Sequence, residues 1–369
     1  MSSGSSSGAK TTVTLTEESP SSGSPTVSTT PSPPSLIELA IASGPATASQ
    51  PDRARLDDFL KALTVGESLR HWLGDGHPRL RNPERDQIAR LLNRDIARID
   101  ALLTDQVNAI LHHTSFQQLE ASWRGLSYLV QQGEGVENLK IRVLNVSWKE
   151  LTRDLDRAIE FDQSQLFKKV YSEEFDTPGG EPFSVLLGDY QIQHRIGPDH
   201  PMDDIAAMQA ISQVAAAAFA PFIASSSPAL FGLDSFTEME RPMDLGRSFE
   251  QLEYLKWRAF RDSEDSRFVG LTLPKTLMRL PYDDTSGRID GFRFQEDVES
   301  PDRSKYLWGN AIYAFGAVLI RAFAESGWLA DIRGVQRGIA GGGLVTGLPV
   351  HSFNTDAMGV ALKVPPTPS

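Results

Sequence analysis

The spacing of apolar residues changes period once along this chain, and that change limits the folds open to it. Ile88, Leu91, Leu92, Ile96, Ile99, Leu102, Leu103, Val107, Ile110 and Leu111 recur every three or four residues, which is one face of a long helix. Asn82 reads as its N-cap, with Pro83 at the first helical position. A new cap at Thr114 or Ser115 starts a helix bearing Phe116, Leu119, Trp123, Leu126 and Leu129. Upstream, Leu56, Phe59, Leu60, Leu63, Leu69 and Trp72 trace one helix, or two broken near Gly66. Beyond Leu139 the pattern alternates between strand and helix. Ile141, Val143 and Val146 give a strand, and Ser147 with Glu150 three residues later forms a capping box opening a helix through Leu151, Leu155 and Ile159. Phe183 to Leu187 is a second strand between Gly179-Gly180 and Gly188. Asp203 caps an alanine-rich helix from Ile205 to about Phe219, whose small side chains let backbones approach closely. A helix after Gly246 carries Phe249, Leu252, Leu255, Trp257 and Phe260; Phe268 to Leu273 is a strand stopped by Pro274, and Tyr306 to Phe323 is another long helix. The expected class is α/β (mixed α+β), with helices layered on a mixed sheet and amphipathic helices preceding it.

The domain plan follows from composition. In residues 1–35, 27 are Ser, Thr, Pro or Gly, so there is too little apolar surface to offset the entropy of ordering, and a disordered N-terminal arm is expected. Met1 to Gly8 has the composition of an appended leader. Residues 36–54 read as an extended docking arm around Leu36, Ile37, Leu39, Ala40 and Ile41, residues 55–135 as the amphipathic helical region, residues 136–356 as the α/β domain, and residues 357–369 as a proline-rich tail.

Chemistry is limited by what the chain lacks. It has no cysteine, so disulfides, thiolate zinc sites and thiol nucleophiles are excluded, which suits a reducing cytoplasm. A net charge of −12 opposes nucleic-acid binding, and no apolar run is long enough for membrane insertion. Phosphate-loop, dinucleotide-fold, HExxH and GxSxG patterns are missing. Gly341, Gly342 and Gly343 read as a turn rather than a phosphate cradle. His112 and His113 point about 100° apart on a helix, one toward the interior and one toward solvent. His200 with Asp203 and Asp204 is the most metal-like cluster, but a loop with a helix cap and a dipole-favouring acid is the favoured reading of it. Glu238 with Glu240, and Glu264 with Asp265, read as surface acids. No catalytic residue, cofactor or metal ligand is assigned. The dense run Lys256, Arg258, Arg261, Asp262, Glu264, Asp265 and Arg267 reads instead as an interface that sets register between subunits.

Five blocks, in order and with the third running into the fourth, carry a resemblance: ILHHTSFQQLEASWRGLSYLV from Ile110, IRVLNVSWKEL from Ile141, FIASSSPALFGL from Phe222, the stretch Phe231 to Tyr282, and YLWGNAIYAF from Tyr306. Together they resemble the large subunit of the type VI secretion contractile sheath, the TssC/VipB family, over roughly Ser35 to Asp356. The resemblance implies a structural protein, not an enzyme, that works in the cytoplasm. It implies pairing with the small sheath subunit (TssB/VipA type) and stacking with further copies into a helical tube around the Hcp inner tube, on a baseplate. Contraction of that tube drives effector delivery, and a ClpV-type AAA+ ATPase disassembles the spent sheath. It also implies that Leu36, Ile37 and Leu39 reach a neighbouring protomer, joining Arg258, Arg261, Glu264, Asp265 and Arg267 as candidate intersubunit contacts. Family members carry a further C-terminal domain where this chain ends in VPPTPS, and it is that domain which the resemblance places nearest the inner tube and in the intersubunit sheet. Two alternatives remain at this level: a shortened paralogue that caps or regulates sheath growth, and an α/β enzyme using His200, Asp203 and Asp204.

Overall fold

The computed structural model describes residues 13–15, 57–73, 85–198, 200–240, 245–283, 291–298, 305–335 and 341–351. The chain divides into two compact units, Glu18–Leu103 and Met1–Glu17 with Thr104–Ser369.

In the smaller unit a short helix at 57–61 precedes α1 (Val65–Leu73), so the run of apolar residues is broken just before Gly66. Thr64 and Glu67 exchange side-chain bonds with each other's N–H at 3.3 Å, a capping box that starts α1. Phe59 and Trp72 lie 5.4 Å apart between ring centres, and the Trp72 Nε1–H donates to Asp95 on the following helix at 3.0 Å. That helix, α2 (Arg85–Leu111), continues past Leu103 into the larger unit and runs for 27 residues without one buried side chain. Its expected cap, Asn82 with Pro83, lies outside the described residues.

The larger unit is layered. Strands β3 (Leu186–Ile192), β4 (Phe222–Ser226) and β5 (Val269–Thr272) form a parallel sheet in that order. On one face Phe222 and Ala224 pack with Trp148, Leu151 and Leu155 of α4 (Trp148–Arg157), Met208 and Ile211 of α5 (Asp204–Ala218), and Trp257 and Phe260 of α6 (Leu255–Asp262). On the other, Ile223 packs with Leu129 of α3 (Thr114–Gln132) and with Ile312, Tyr313 and Ile320 of α7 (Ile312–Ser326). Sheets covered on both faces read as continuous apolar runs, and all five residues of β4 are buried. Antiparallel pairing is carried by a separate sheet, with β6 (Lys275–Leu277) between β7 (Trp308–Gly309) and β8 (Val350–His351). The fold is therefore α/β with parallel and antiparallel pairing, as expected.

Three element boundaries differ from the sequence expectation. The strand placed at Phe183–Leu187 runs from Leu186 to Ile192, through Gly188 rather than up to it. A Cβ on Gly188 would stand 2.5 Å from Cζ of Phe222, so this glycine admits a neighbouring ring, next to the register shift between Leu187 and Gln191. The helix expected after Gly246 is three pieces: Leu245–Ser248, a 3-10 turn at Leu252–Tyr254, and α6. Tyr306 does not begin α7, because Trp308 and Gly309 pair with β6 first. In addition, Val13–Leu15, inside the stretch expected to be disordered, forms β1, paired in parallel with β2 (Ile141–Val143). An unpaired strand edge offers N–H and C=O groups that even a short extended segment can satisfy.

Local signals nearest the backbone read most directly. Ser147 accepts from the Glu150 N–H at 3.3 Å while the Glu150 carboxylate accepts from the Ser147 N–H at 2.9 Å, which is the expected capping box of α4. The Ser147 hydroxyl, which donates to the Glu150 carboxylate at 2.6 Å, and then the Ser147 N–H hold that carboxyl below its usual range. Replacing Ser147 by Ala is expected to cost about 1 kcal/mol in urea unfolding. A loss under a few tenths would show that packing of Trp148 alone sets the start of this helix.

Candidate interaction surface

The carboxylates and histidines that most resemble reactive groups in the sequence are engaged in holding the fold. The buried Asp204 accepts from the Trp148 Nε1–H at 2.7 Å and the Gln193 N–H at 2.9 Å, and its Oδ1 lies 2.6 Å from His200 Nε2. Asp203 caps α5 through the Ala206 N–H at 3.2 Å and pairs with Lys256 at 2.8 Å. Burial alone would raise the Asp203 carboxyl, but Lys256 and the helix N–H groups outweigh it and hold it below the usual range. Among the described residues no group of three or more His, Asp or Glu is arranged to hold a metal ion. His113 is the exposed N-cap of α3, so that helix starts at Thr114. His112 is half-buried, with Nε2 3.4 Å from Glu296. Glu238 accepts from the N–H groups of Asp234 and Ser235 at 2.9 Å, closing a turn. Gly342 and Gly343 form a turn fastened by Arg321, which donates to the Leu344 carbonyl at 2.7 Å and to that of Gly342.

Two polar hubs were not legible in the sequence, because their members lie far apart in it. Asp189 on β3 accepts from Asn310 Nδ2 at 2.7 Å, from the Tyr313 hydroxyl at 2.8 Å and from Ser122, tying the sheet to α3 and α7. Burial and the Asp189 charge push the Tyr313 hydroxyl well above its ordinary value. In the second hub Arg279 forks onto Glu296 and donates through Nε to Glu120 at 2.8 Å, with side-chain exposures of 7%, 1% and 13% respectively. Arg124 joins Glu120 at 2.7 Å, and the Arg279 guanidinium lies over the Tyr282 ring at 4.3 Å. Burial would raise the Glu296 carboxyl, but Arg279, with the Tyr282 N–H, overrides it and holds it below the usual range.

What remains exposed is apolar to an unusual degree. On α2, Ile96, Ile99, Leu102, Leu103 and Ile110 are each at least 40% exposed, and on α3 Phe116, Leu119 and Trp123 form an uncovered stripe at helical spacing. The charged run after Tyr254 occupies α6 and the 3-10 turn Glu264–Phe268 that leads into β5. Arg258 donates to the Glu250 carbonyl at 2.7 Å, and Arg267 pairs with Glu264 one turn away. Asp265 belongs to the same 3-10 turn, Glu264–Phe268. Arg261 lines a shallow recess with Trp257, Phe260, Ser266, Val269 and Leu271. Arg258, Arg261, Glu264, Asp265 and Arg267, five of the eight candidate contacts, are neighbours in sequence and lie on α6 and the 3-10 turn after it. Leu36, Ile37 and Leu39 lie outside the described residues.

Comparison with known proteins connects these features to a family. Residues 93–367 match the model of the VipB family, described as EvpB/VC_A0108, tail sheath N-terminal domain. The type VI secretion system sheath protein TssC1 of Pseudomonas aeruginosa (strain PAO1) is 45% identical over 272 residues, which is 73% of this chain and 53% of that protein. The chain therefore spans about half the length of the curated relative it matches. Among the described residues no helix is long and apolar enough to cross a membrane. With the family model matched over most of the chain and a sheath protein 45% identical to it, the chain belongs to the VipB/TssC family of type VI secretion sheath proteins.

Proposed function

We propose that this chain is a structural subunit of a type VI secretion contractile sheath in the cytoplasm. It pairs with a small sheath subunit of TssB/VipA type and stacks with further copies into a helical tube around an Hcp inner tube. The tube stands on a baseplate, its contraction delivers effectors, and a ClpV-type ATPase recycles it. The observation that carries this reading beyond family membership is α2: 27 residues with a continuous apolar stripe and no buried side chain. A helix of that kind is stabilised by what packs on its apolar face, and an obligate partner supplies that surface.

Co-expression with the small sheath subunit, followed by size-exclusion chromatography and negative-stain electron microscopy, tests the proposal. Long tubes are the expected result. A soluble heterodimer that never elongates would replace it with a capping role, and failure to associate would overturn it.

Reversing Arg261 and Arg267 to Glu separates interface from fold. Both are exposed, so the circular dichroism spectrum and melting temperature should stay within a degree or two, while tube length falls severalfold. Tubes of unchanged length would remove this stretch from the stacking interface.

A further inference from the structure

We propose that His194 is a pH-sensitive latch: neutral, it seats the 3-10 turn Leu252–Tyr254, and with it the start of α6, against the end of β3; protonated in mild acid, it lets that turn go. His194 lies two residues beyond β3, and its side chain is 2% exposed. Its ring stacks on the buried ring of Tyr254, with centres 4.1 Å apart. Among the described residues neither ring nitrogen has a hydrogen-bond partner. Such a seat suits a flat, neutral ring and leaves the two N–H donors of an imidazolium poorly met.

The titratable and charged groups facing the ring, among the described residues, are Tyr254 itself, Glu253 and Arg195. The Glu253 carboxylate stands 3.9 Å from Nε2, but Arg195 already holds it. His112 and His200, by contrast, each have a carboxylate within 3.4 Å. Burial disfavours the imidazolium of His194; Glu253 and the Ala229 backbone work against burial, Arg195 works with it, and the net effect holds the ring below its ordinary value of 6.5. Attraction between a cation and the Tyr254 face is small beside the cost of burying a charge whose carboxylate is taken. The folded chain therefore takes up this proton less readily than the unfolded chain. The stability tied to His194 is complete above pH 6.5 and falls as the pH drops from there toward the lower folded value. The shortest route to water is for the turn to lift, since Tyr254 is its one buried residue and Leu252 is already 87% exposed. Because α6 carries Arg258 and Arg261, release would reach the candidate stacking contacts; that consequence alone rests on the sheath reading.

Hydrogen exchange of the full-length chain near pH 7.5 and near pH 5.5, each normalised to the intrinsic rate at that pH, tests the latch. Amides of residues 252–262 should lose protection severalfold in acid. His194→Phe keeps a flat ring that cannot be protonated and should hold protection equal at both values. Two further variants should move the acid loss in opposite directions: Glu253→Gln removes the nearby anion and deepens it, whereas Arg195→Gln frees Glu253 for the ring and makes it shallower. Equal protection at both pH values in the parent chain, an acid loss that survives in His194→Phe, or shifts of the same sign from Glu253→Gln and Arg195→Gln would overturn the proposal. If His194→Phe does not fold, the opposed pair decides. No partner enters this experiment, so its outcome is separate from that of the co-expression test.

Discussion

Replacing Arg279 with Met should lower stability by about 3–5 kcal/mol, as breaking one side of a buried ion cluster does, because Glu296 stays behind without its guanidinium while Glu120 keeps only Arg124. Glu296 is the more costly of the pair: its side chain is 1% exposed and its fork to Arg279 is what keeps it ionised. Urea unfolding of the purified chain near pH 7 measures the loss. The pH dependence identifies the cause. With its carboxyl held below the ordinary value of 4.5, Glu296 contributes stability that is complete above that value and is lost as pH falls through the lower folded value. In Arg279→Met the abandoned carboxylate gains by taking up a proton, so the deficit should shrink as pH drops toward 4. Adding Glu120→Gln and Glu296→Gln should recover most of the loss at pH 7, since neutral amides cost far less to bury than charges. A deficit below 1 kcal/mol, or one indifferent to pH, would show that water rather than Arg279 compensates these acids.

Gly125→Val is expected to be comparably severe, for a steric reason. A Cβ at Gly125 would stand 2.3 Å from the Tyr313 ring, and across the same helix crossing a Cβ at Gly316 would stand 2.6 Å from Leu129. Tyr313 cannot turn away without giving up its 2.8 Å bond to Asp189. Overpacking costs about 1–3 kcal/mol, and leaving Asp189 short of a donor adds about 1–3 more. Gly66→Ala in α1 is the contrast: nothing lies within 4 Å of its Cβ position, and a gain of up to about 1 kcal/mol is expected from helix propensity. Thermal melts of the two variants should therefore move in opposite directions. If Gly125→Val melts with the parent, α3 and α7 separate more readily than the close approach indicates.

Features written in neighbouring residues were readable before any coordinates. The Ser147–Glu150 box, the Asp203 cap and the alanine-rich helix behind it all stand where the sequence places them, since their bonding partners lie within four residues. Errors arose where a distant partner decided the outcome. Gly188 looked like punctuation and proved to be space for Phe222; Trp308 looked helical and was claimed by β6. Strand β4 had no alternation to betray it, because both of its faces are covered. The charged run after Tyr254 was visible as composition, but its division into bonds within the chain and the open guanidinium of Arg261 depended on which groups the fold brought within reach. The Arg279 and Asp189 hubs join residues 17 to 159 positions apart, beyond any local pattern.

Asp189 also bears on how the larger unit would respond to load. Apolar contacts between layers are non-directional, so two layers held only by them can creep past each other with little penalty. The bonds from Ser122, Asn310 and Tyr313 converge on one carboxylate and have fixed directions, so sliding α3 or α7 along the sheet stretches them at once. They act as a shear pin. A force applied to one helix would turn the whole stack as a block and leave compliance to the connections outside it.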